Sequence, residues 1–355
     1  MNINPASLTP LLEVVEVANV PAHTGVHQLE LQYPKAWFAP REQVARAEEI
    51  EEQTIEWMRD LGLLQDSAQT AVVRAMLPRV YGGCPCSTLG YDAALLFTQY
   101  LTMWLLWDDE VAESTTDIAA LEADFNAMAG AENAVPDTPY RTAWRQIGDG
   151  IECMGGSIAL RQRWVKAMRE YASYAIAEVR VRNSASSDNR TFEEAFYMRT
   201  MSIGAKPCIV YLEACSGIEL GEEITARHEY QQLAWRSAVL QGLQNDLASI
   251  HKDFLKNEIE TNMVLRYQRD SGCSVMNACR AILDIHDDSI EVFDELTEKL
   301  LEQVEGNVKQ RLQAYFDYVR YMETGFGFYH TRADRYLRQA AVTQGKLLRF
   351  TLTRR

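Results

Sequence analysis

Residues 97–114 read FTQYLTMWLLWDDEVAES, an apolar and aromatic run that ends in consecutive carboxylates. Phe97, Leu101, Trp104 and Asp108 recur at helical intervals, so one helix face carries apolar side chains and leads directly to Asp108. Ionised carboxylates at the rim of an apolar face are costly to desolvate unless a cation pairs with them. The stretch therefore predicts a buried helix that ends at a site for an oxygen-seeking cation such as Mg²⁺.

Composition and charge limit the classes of function. The chain has 355 residues, 47% of them apolar and 24% charged, as in an ordinary globular protein with a large core. Its net charge of −15 opposes attraction to phosphate backbones and anionic lipid surfaces, so no nucleic-acid partner is expected. A site for an anionic substrate must then be made locally positive by Arg, Lys or bound cations. No apolar run reaches about 18 residues, so a cytoplasmic protein without membrane insertion is expected.

Hydrophobic residues follow a helical period along most of the chain. The spacing predicts an amphipathic helix over residues 41–61, with Gly62 as its stop signal, and continues with the same period over residues 293–319. Residues 89–107 and 208–217 are apolar on more than one face and should lie at the centre. The prediction is an all-α fold with roughly ten or more helices around a central few.

The chain shows no internal repeat and no composition shift that would mark a second domain. Residues 1–35 contain four prolines and read as a non-helical arm across the surface. We expect a single helical domain over residues 36–345 and a C-terminal tail over residues 346–355.

Residues 245–253, NDLASIHKD, form a second polar strip. Asn245, Ser249 and Asp253 stand at i, i+4 and i+8, which places a carbonyl, a hydroxyl and a carboxylate on one helix face. All three are hard oxygen donors, and the residues before them are mostly apolar, so this strip also ends an interior helix. Facing helices of a bundle commonly build metal sites from such side chains.

Each polar strip taken alone has a structural alternative. The DDxxxE pattern equally describes a solvated helix end, and Asn245 and Ser249 equally fit surface residues that bond to the backbone. A third acidic run, DIHDDSIE at residues 284–291, would suggest the second aspartate-rich motif of a chain-elongating prenyl diphosphate synthase. The favoured interpretation is the N-terminal cap and acidic first turn of the helix that follows.

Together these residues resemble a class I terpene synthase of the microbial, single-domain type. In that family an aspartate-rich motif, DDxxD or a variant such as DDxxxE, and a second motif, (N/D)Dxx(S/T)xx(K/R)(E/D), hold three Mg²⁺ ions that bind the substrate diphosphate. Residues 108–113, DDEVAE, match the first motif, and residues 245–253 match the second. Arg199 stands 46 positions before the second motif (245 − 199 = 46), as the family's diphosphate-sensing Arg does. Arg335 and Tyr336 match its C-terminal Arg-Tyr pair.

The resemblance implies roles for the matched side chains. The implied Mg²⁺ ligands are oxygen-bearing residues of the two motifs: Asp108, Asp109, Glu113, Asn245, Ser249 and Asp253. The implied diphosphate-binding residues are Arg199, Lys252, Arg335 and Tyr336. Asp108 is the principal ligand of the first motif, and which of Asp109, Glu110 and Glu113 also ligates is left open.

The resemblance further implies a helix break after the sensing Arg. Ser202 falls at its linker position and Ile203 at its effector position, where the backbone carbonyl matters. Gly204 and Pro207 support the break from chemistry alone, because both weaken a helix and free carbonyl groups.

The implied fold is a single-domain α-helical bundle of the class I terpenoid synthase type with a central apolar cavity. Aromatic faces can stabilise cationic carbons there, and the candidates are Phe97, Trp104, Phe196 and Tyr329. The implied activity is Mg²⁺-dependent ionisation and cyclisation of a linear isoprenyl diphosphate to a hydrocarbon or alcohol, with release of diphosphate. Farnesyl diphosphate is the favoured substrate, followed by geranylgeranyl diphosphate, and a homodimer is one expected assembly. The alternatives are a chain-elongating prenyl diphosphate synthase and a non-enzymatic all-α scaffold protein.

Overall fold

The computed structural model describes residues 12–112, 114–131, 137–183 and 189–355, most of which are helical. The first seven helices are α1 (Ala47–Asp60), α2 (Ser67–Ala75), α3 (Pro78–Tyr81), α4 (Tyr91–Trp107), α5 (Glu122–Met128), α6 (Pro139–Cys153) and α7 (Ile158–Arg182). The later helices are α8 (Phe192–Ser202), α9 (Ala205–Ser216), α10 (Glu222–Thr225), α11 (His228–Leu255), α12 (Met263–Ser271), α13 (Val275–Glu302), α14 (Gly306–His330) and α15 (Asp334–Leu337). The predicted all-α class is confirmed.

Helix α11 lies at the centre of the bundle. It packs against α8, α9, α12, α13 and α14, and its side chains are buried on several faces. Helices α4 and α9 are also buried on more than one face, as the apolar runs at residues 89–107 and 208–217 predict. Within the described ranges, no helix combines the length and the apolarity needed to cross a membrane.

The amphipathic helices begin and end differently from the prediction. Helix α1 begins at Ala47 rather than at residue 41, because Arg46 takes a left-handed conformation with φ 62°. Gly62 has φ +75° just after this helix, which agrees with its role as a stop signal. The continuous period over residues 293–319 is divided between α13 and α14, because the chain turns at residues 303–305 and Gly306 has φ +58°.

A four-stranded sheet joins segments from both ends of the described chain. Its strands are β1 (Glu13–Glu16), β2 (Gly25–Tyr33), β3 (Gln339–Thr343) and β4 (Lys346–Arg354), in the spatial order β1-β3-β4-β2. Strand β2 pairs with β4 in parallel along its whole length, and the other neighbours are antiparallel. Leu29, Leu31 and Tyr33 alternate inward from β2, so the sheet covers α11, α13 and α14.

The sheet is built largely from the two segments that the sequence placed outside the helical domain. The segment read as an arm contains β1 and β2, and its residues 1–11 lie outside the described ones. The segment read as a tail, residues 346–355, is almost entirely β4. A two-residue turn joins β3 to β4, with positive φ at Gln344 and Gly345 as a type I′ hairpin requires. The Gln-Gly pair between apolar runs was the sequence signal that this interpretation missed.

The acidic run at residues 284–291 was also interpreted wrongly. It lies in the middle of α13 and is neither a cap nor a first turn, because the helix begins well before it at Val275, with Ser274 as its cap. His286 is fully buried and its ring contacts the Tyr33 hydroxyl at 2.9 Å, while Asp288 is exposed. In this run His286 therefore packs in the core, whereas Asp288 contacts solvent.

Candidate active site

One cavity is lined by side chains from both predicted polar strips. Its wall includes Asp108 and Asp109 at the end of α4, and Asn245 and Asp253 on α11. Ser249, which lies between Asn245 and Asp253 on α11, is fully buried and donates a hydrogen bond to the Asp253 carboxylate. The structure therefore brings the two strips to a single cavity.

The first acidic motif forms a π-helical turn directly after α4, over Asp108–Ala112. Such turns are rare and occur frequently at functional sites. The hydroxyl of Tyr171 on α7 donates a hydrogen bond to Asp108, whereas the hydroxyl of Tyr140 on α6 donates one of 2.6 Å to Glu110. Glu110 is therefore held towards α6, while Asp108 and its neighbour Asp109 line the cavity.

The second strip is held in place by a residue that the sequence reasoning missed. The side-chain amide of Asn262 donates to Asp253 at 2.8 Å and to the backbone carbonyl of Asp246 at 2.9 Å. Its side-chain oxygen caps α12 by accepting from two backbone N–H groups of the first turn. An Asn immediately before an apolar run is a helix-start signal, so the cap was predictable, but its contact with Asp253 was not.

Arg199 of α8 connects α11 to α7 and is itself paired. Its guanidinium donates to Asn245 Oδ1 at 2.9 Å and to Asp246 Oδ1 at 2.7 Å, and lies 3.9 Å from Glu178 Oε2. Burial alone would lower the pKa of Arg199, but the carboxylates of Asp246 and Glu178 raise it above its usual value. Burial outweighs the opposing effect of Arg199 and raises the pKa of Asp246. The pair places a charged guanidinium in the cavity wall.

The predicted helix break follows Arg199. Helix α8 ends at Ser202, Gly204 takes φ +81°, and α9 begins one residue later. Because Pro207 has no N–H, it cannot donate the i+4 hydrogen bond to the carbonyl of Ile203 that would continue the helix. A Cβ at Gly204 would come within 2.1 Å of the Trp104 ring. Ser202 and Ile203 line the cavity, and Gly204 lets Trp104 pack against the break.

Glu178 and Arg182 of α7 are cavity residues that the sequence analysis did not identify. Glu178 accepts a 2.5 Å hydrogen bond from the Ser202 hydroxyl, and so connects Arg199 to the helix break. Burial raises the pKa of Glu178 to about 7, although Arg199 opposes this shift. Arg182 pairs with Glu258 at 3.0 Å. These two residues are difficult to recognise as cavity residues from the sequence, because charged side chains in a long helix usually mark a solvated face.

The C-terminal Arg-Tyr pair lies on the short helix α15 and reaches the same cavity. Arg335 and Tyr336 line it, and the Tyr336 hydroxyl accepts a 3.0 Å hydrogen bond from the amide of Asn245. Lys252 also lines the cavity, with its ammonium 3.6 Å from Asp253 Oδ1. Arg199, Lys252 and Arg335 thus supply positive charge to the cavity of an acidic protein.

Two of the four aromatic candidates lie on the cavity wall. Trp104 and Tyr329 line it, together with Tyr81, Tyr171 and Phe326, which were not predicted. The structure does not place the other two among the residues that line the cavity. Phe97 is fully buried against Tyr100 and Tyr211, and Phe196 stacks on Phe192 at 5.9 Å between ring centroids. The helical period identifies a buried face, but it does not say which buried residues border empty space.

The chemistry of the oxygen donors indicates which kind of cation the cavity can hold. Every candidate ligand is a carboxylate, amide or hydroxyl oxygen, which suits a hard divalent ion. Among the residues that the structure describes, which exclude the predicted ligand Glu113, no three His, Cys, Asp or Glu side chains converge on one point. A hard ion that also binds phosphate oxygens and water needs only one or two carboxylates. The donors therefore fit cations shared with an anionic ligand.

A buried carboxylic acid lies behind the cavity. Glu323 of α14 is fully buried and accepts hydrogen bonds from the Ser237 hydroxyl and, at 3.0 Å, from the side-chain amide of Gln241. Its second oxygen has no hydrogen-bond partner among the described residues. Burial raises the pKa of Glu323 to about 8, with the two hydrogen bonds opposing the shift. The group is therefore protonated at neutral pH.

This protonation predicts a pH-dependent effect of Glu323→Gln. Between about pH 4.5 and about pH 8 the folded protein holds a proton that the unfolded chain releases, so rising pH favours unfolding of the wild type. The variant lacks this group and so escapes this loss of stability. As the pH rises through the window, its free energy of unfolding relative to that of the wild type should increase by roughly 1 kcal/mol per pH unit. Denaturant titrations at several pH values measure the difference. Glu298→Gln, at an exposed carboxylate, is the control, and a gain as large as that of Glu323→Gln would contradict the prediction.

A solved structure shares this fold. The structure of a-eudesmol synthase superposes with a TM-score of 0.72, at 14% identity, over 84% of this chain and 98% of that chain. At this identity the likeness is evidence of the fold. The helical bundle therefore has the class I terpene synthase fold.

The family follows from sequence comparison. The model of terpene synthase family 2, C-terminal metal binding, matches residues 99–292, more than half of the chain, which therefore belongs to this family of metal-binding terpene synthases. Terpene cyclase 4 of Gibberella fujikuroi is 27% identical over 239 residues, 63% of this chain and 62% of that protein. Spiroviolene synthase of Streptomyces violens is 21% identical over 313 residues, 84% of each chain. The match spans just under two thirds of terpene cyclase 4.

Proposed function

We propose that this protein is a Mg²⁺-dependent terpene cyclase that ionises a linear isoprenyl diphosphate and cyclises the carbocation to a hydrocarbon or alcohol. The observation that carries the proposal is the single cavity lined by Asp108, Asn245 and Asp253 together with Arg199 and Arg335. Oxygen donors for a hard cation and nitrogen donors for phosphate oxygens in one cavity suit a cation and a polyphosphate that are bound together. Family membership argues against the alternative of a non-enzymatic scaffold.

The cationic side chains would bind the diphosphate. Arg199 and Arg335 present planar guanidinium groups suited to forked contacts with phosphate oxygens, and Lys252 supplies a compact charge. Tyr336 has a hydroxyl that can donate to the same anion. Arg199 already donates to Asn245 and Asp246, so its orientation is fixed before a ligand enters.

The proposed metal ligands of the first strip are Asp108 and Asp109, and those of the second strip are Asn245, Ser249 and Asp253. Glu113 is proposed from the motif alone. Three ions are proposed from the family resemblance. Bound Mg²⁺ would neutralise charge on the diphosphate and favour its departure from the allylic carbon. Tyr171 and Asn262 orient the carboxylates of Asp108 and Asp253 through hydrogen bonds, as outer partners of metal ligands commonly do.

The aromatic part of the cavity wall would surround the carbocation that forms when the diphosphate departs. Trp104, Tyr81, Phe326 and Tyr329 offer aromatic rings, whose faces attract positive charge. Ile203 and Gly204 belong to the helix break at this wall, and a backbone carbonyl that the break frees would add a dipole that attracts the cation. Exclusion of water by such a wall would prevent early quenching of the cation.

Farnesyl diphosphate is the proposed substrate, with geranylgeranyl diphosphate second, and this choice rests on the family resemblance alone. The test is incubation of the purified protein with geranyl, farnesyl and geranylgeranyl diphosphates, with and without Mg²⁺. We expect Mg²⁺-dependent release of inorganic diphosphate and a cyclic product detectable by mass spectrometry. Release that is independent of metal, or a product that retains its diphosphate, would contradict the proposal.

A matched pair of variants tests the metal strip and the elongation alternative together. Asp108→Asn should lower Mg²⁺-dependent diphosphate release by roughly tenfold to a hundredfold, because it removes an anionic ligand. Asp288→Asn changes an exposed aspartate of the acidic run in α13 and should leave release unchanged. Initial rates at saturating and limiting Mg²⁺ measure both effects. A large loss in Asp288→Asn would favour a chain-elongating synthase that uses isopentenyl diphosphate as a second substrate.

A further inference from the structure

The polar strip on α11 continues beyond the proposed metal ligands. Ser237 and Gln241 precede Asn245, Ser249 and Asp253 at the same four-residue spacing, so the five side chains form one strip that winds around the helix by about 40° at each step. Gln241 lies one turn, about 6 Å along the helix axis, from Asn245. It lines the cavity on the side away from Asp253, where Asn245 separates it from the rest of the motif.

Gln241 shares the cavity wall with apolar side chains as well as with the motif. Cys208 and Phe326 line the same cavity, and Phe326 packs against Tyr81 with 5.7 Å between ring centroids. A buried amide has two polar ends, and each end that is removed from water needs a partner. The partners of the two ends therefore decide what Gln241 can offer a ligand.

The hydrogen bonds of Gln241 determine which end of its amide faces the cavity. The amide nitrogen donates to Glu323 at 3.0 Å and to the Ser237 hydroxyl at 3.4 Å, which uses both of its hydrogens. Glu323 of α14 and Ser237 of α11 are completely buried, and the Ser237 hydroxyl also donates to Glu323. No donor among the described residues hydrogen-bonds to the amide oxygen of Gln241. The oxygen is therefore the end available to a ligand.

We infer that the Gln241 amide oxygen faces the hydrocarbon chain of the bound substrate and stabilises positive charge that develops on it, and that Glu323 orients this amide. The inference rests on the proposed cyclase function. An oriented carbonyl dipole attracts a cation, and it does so more strongly where bulk water is excluded. Gln241 is thus a product-determining residue, because it favours intermediates whose charge lies beside it, and Glu323 is a positioning residue.

The experiment compares the wild type with Gln241→Met, Glu323→Met and Glu323→Gln. Benzyltrimethylammonium and its uncharged carbon analogue neopentylbenzene are titrated against each protein, and the ratio of their affinities measures cation preference without turnover. Gln241→Met and Glu323→Met should lower this preference by roughly tenfold or more, the size expected for loss of one polar contact to a charged group. Glu323→Gln keeps an oxygen that can accept from Ser237 and Gln241, so it should retain the wild-type preference.

Product analysis with the isoprenyl diphosphate that the wild type consumes gives a second readout. Gln241→Met and Glu323→Met should shift the product ratio in the same direction, and Glu323→Gln should reproduce the wild-type ratio. An unchanged cation preference in Gln241→Met overturns the inference, even if Glu323→Met fails to fold. Diphosphate release by the wild type tests the proposed function separately, so a failure of either statement can be recognised.

Discussion

Replacement of Arg199 by methionine is expected to lower diphosphate release by roughly a hundredfold or more, since it removes a fixed cationic donor from the proposed diphosphate site. It should also lower the free energy of unfolding by roughly 3 kcal/mol, because Asp246 is completely buried and would lose its ion pair. Denaturant unfolding and calorimetric titration with pyrophosphate measure the two effects separately.

The double variant Arg199→Met/Asp246→Asn distinguishes the two roles of Arg199. The neutral amide that this variant carries at position 246 needs no cation and can still accept from the Met263 N–H, which lies 2.8 Å from the Asp246 carboxylate. Stability should therefore return to near the wild-type value, while diphosphate release stays low. Recovery of release in the double variant would mean that Arg199 acts only by neutralising Asp246, and would remove it from the proposed diphosphate site.

Gly204→Ala is the second change with a large expected effect. Its φ of +81° is strained for alanine, and the added Cβ would meet the Trp104 ring at 2.1 Å. The two costs together should lower the free energy of unfolding by about 3 kcal/mol. Displacement of Trp104 from the cavity wall should also change the product distribution, which gas chromatography with mass spectrometry would show.

Gly217 provides the matched control for Gly204. It has φ +66° at the end of α9, and no heavy atom lies within 4 Å of an added Cβ. Gly217→Ala therefore carries the backbone cost alone, about 1 kcal/mol, and should leave the products unchanged. Equal destabilisation by the two alanine variants would show that the contact with Trp104 contributes nothing.

The sequence was informative where chemistry repeats at helical spacing. The period of four that joins Asn245, Ser249 and Asp253 is a property of one helix, so it predicts a shared face without knowledge of the fold. Asp108 was identified in the same way, from the apolar face that precedes it. Gly204 and Pro207 predicted the break in the helix because their backbone chemistry is local.

Features that depend on contacts between distant segments were missed. Glu178 reaches Ser202 from another helix, and Asn262 reaches Asp253 from the next helix along the chain. Strands β2 and β4 pair across about 320 residues, so neither segment carries the signal of its partner. Phe97 and Phe196 were misplaced because a helical pattern reports burial but not proximity to a cavity. The roles of the site residues remain predictions, and Glu113 lies outside the described residues.

The most direct test is a crystal structure of the protein with pyrophosphate and Mn²⁺, whose anomalous scattering locates the ions. We expect ions in the cavity lined by both strips, with Asp108 on one side and Asn245, Ser249 and Asp253 on the other. Arg199 and Arg335 should contact the pyrophosphate. Ions bound elsewhere, or a pyrophosphate complex in which Asp108 and Ser249 point away from each other into solvent, would contradict the proposed metal site.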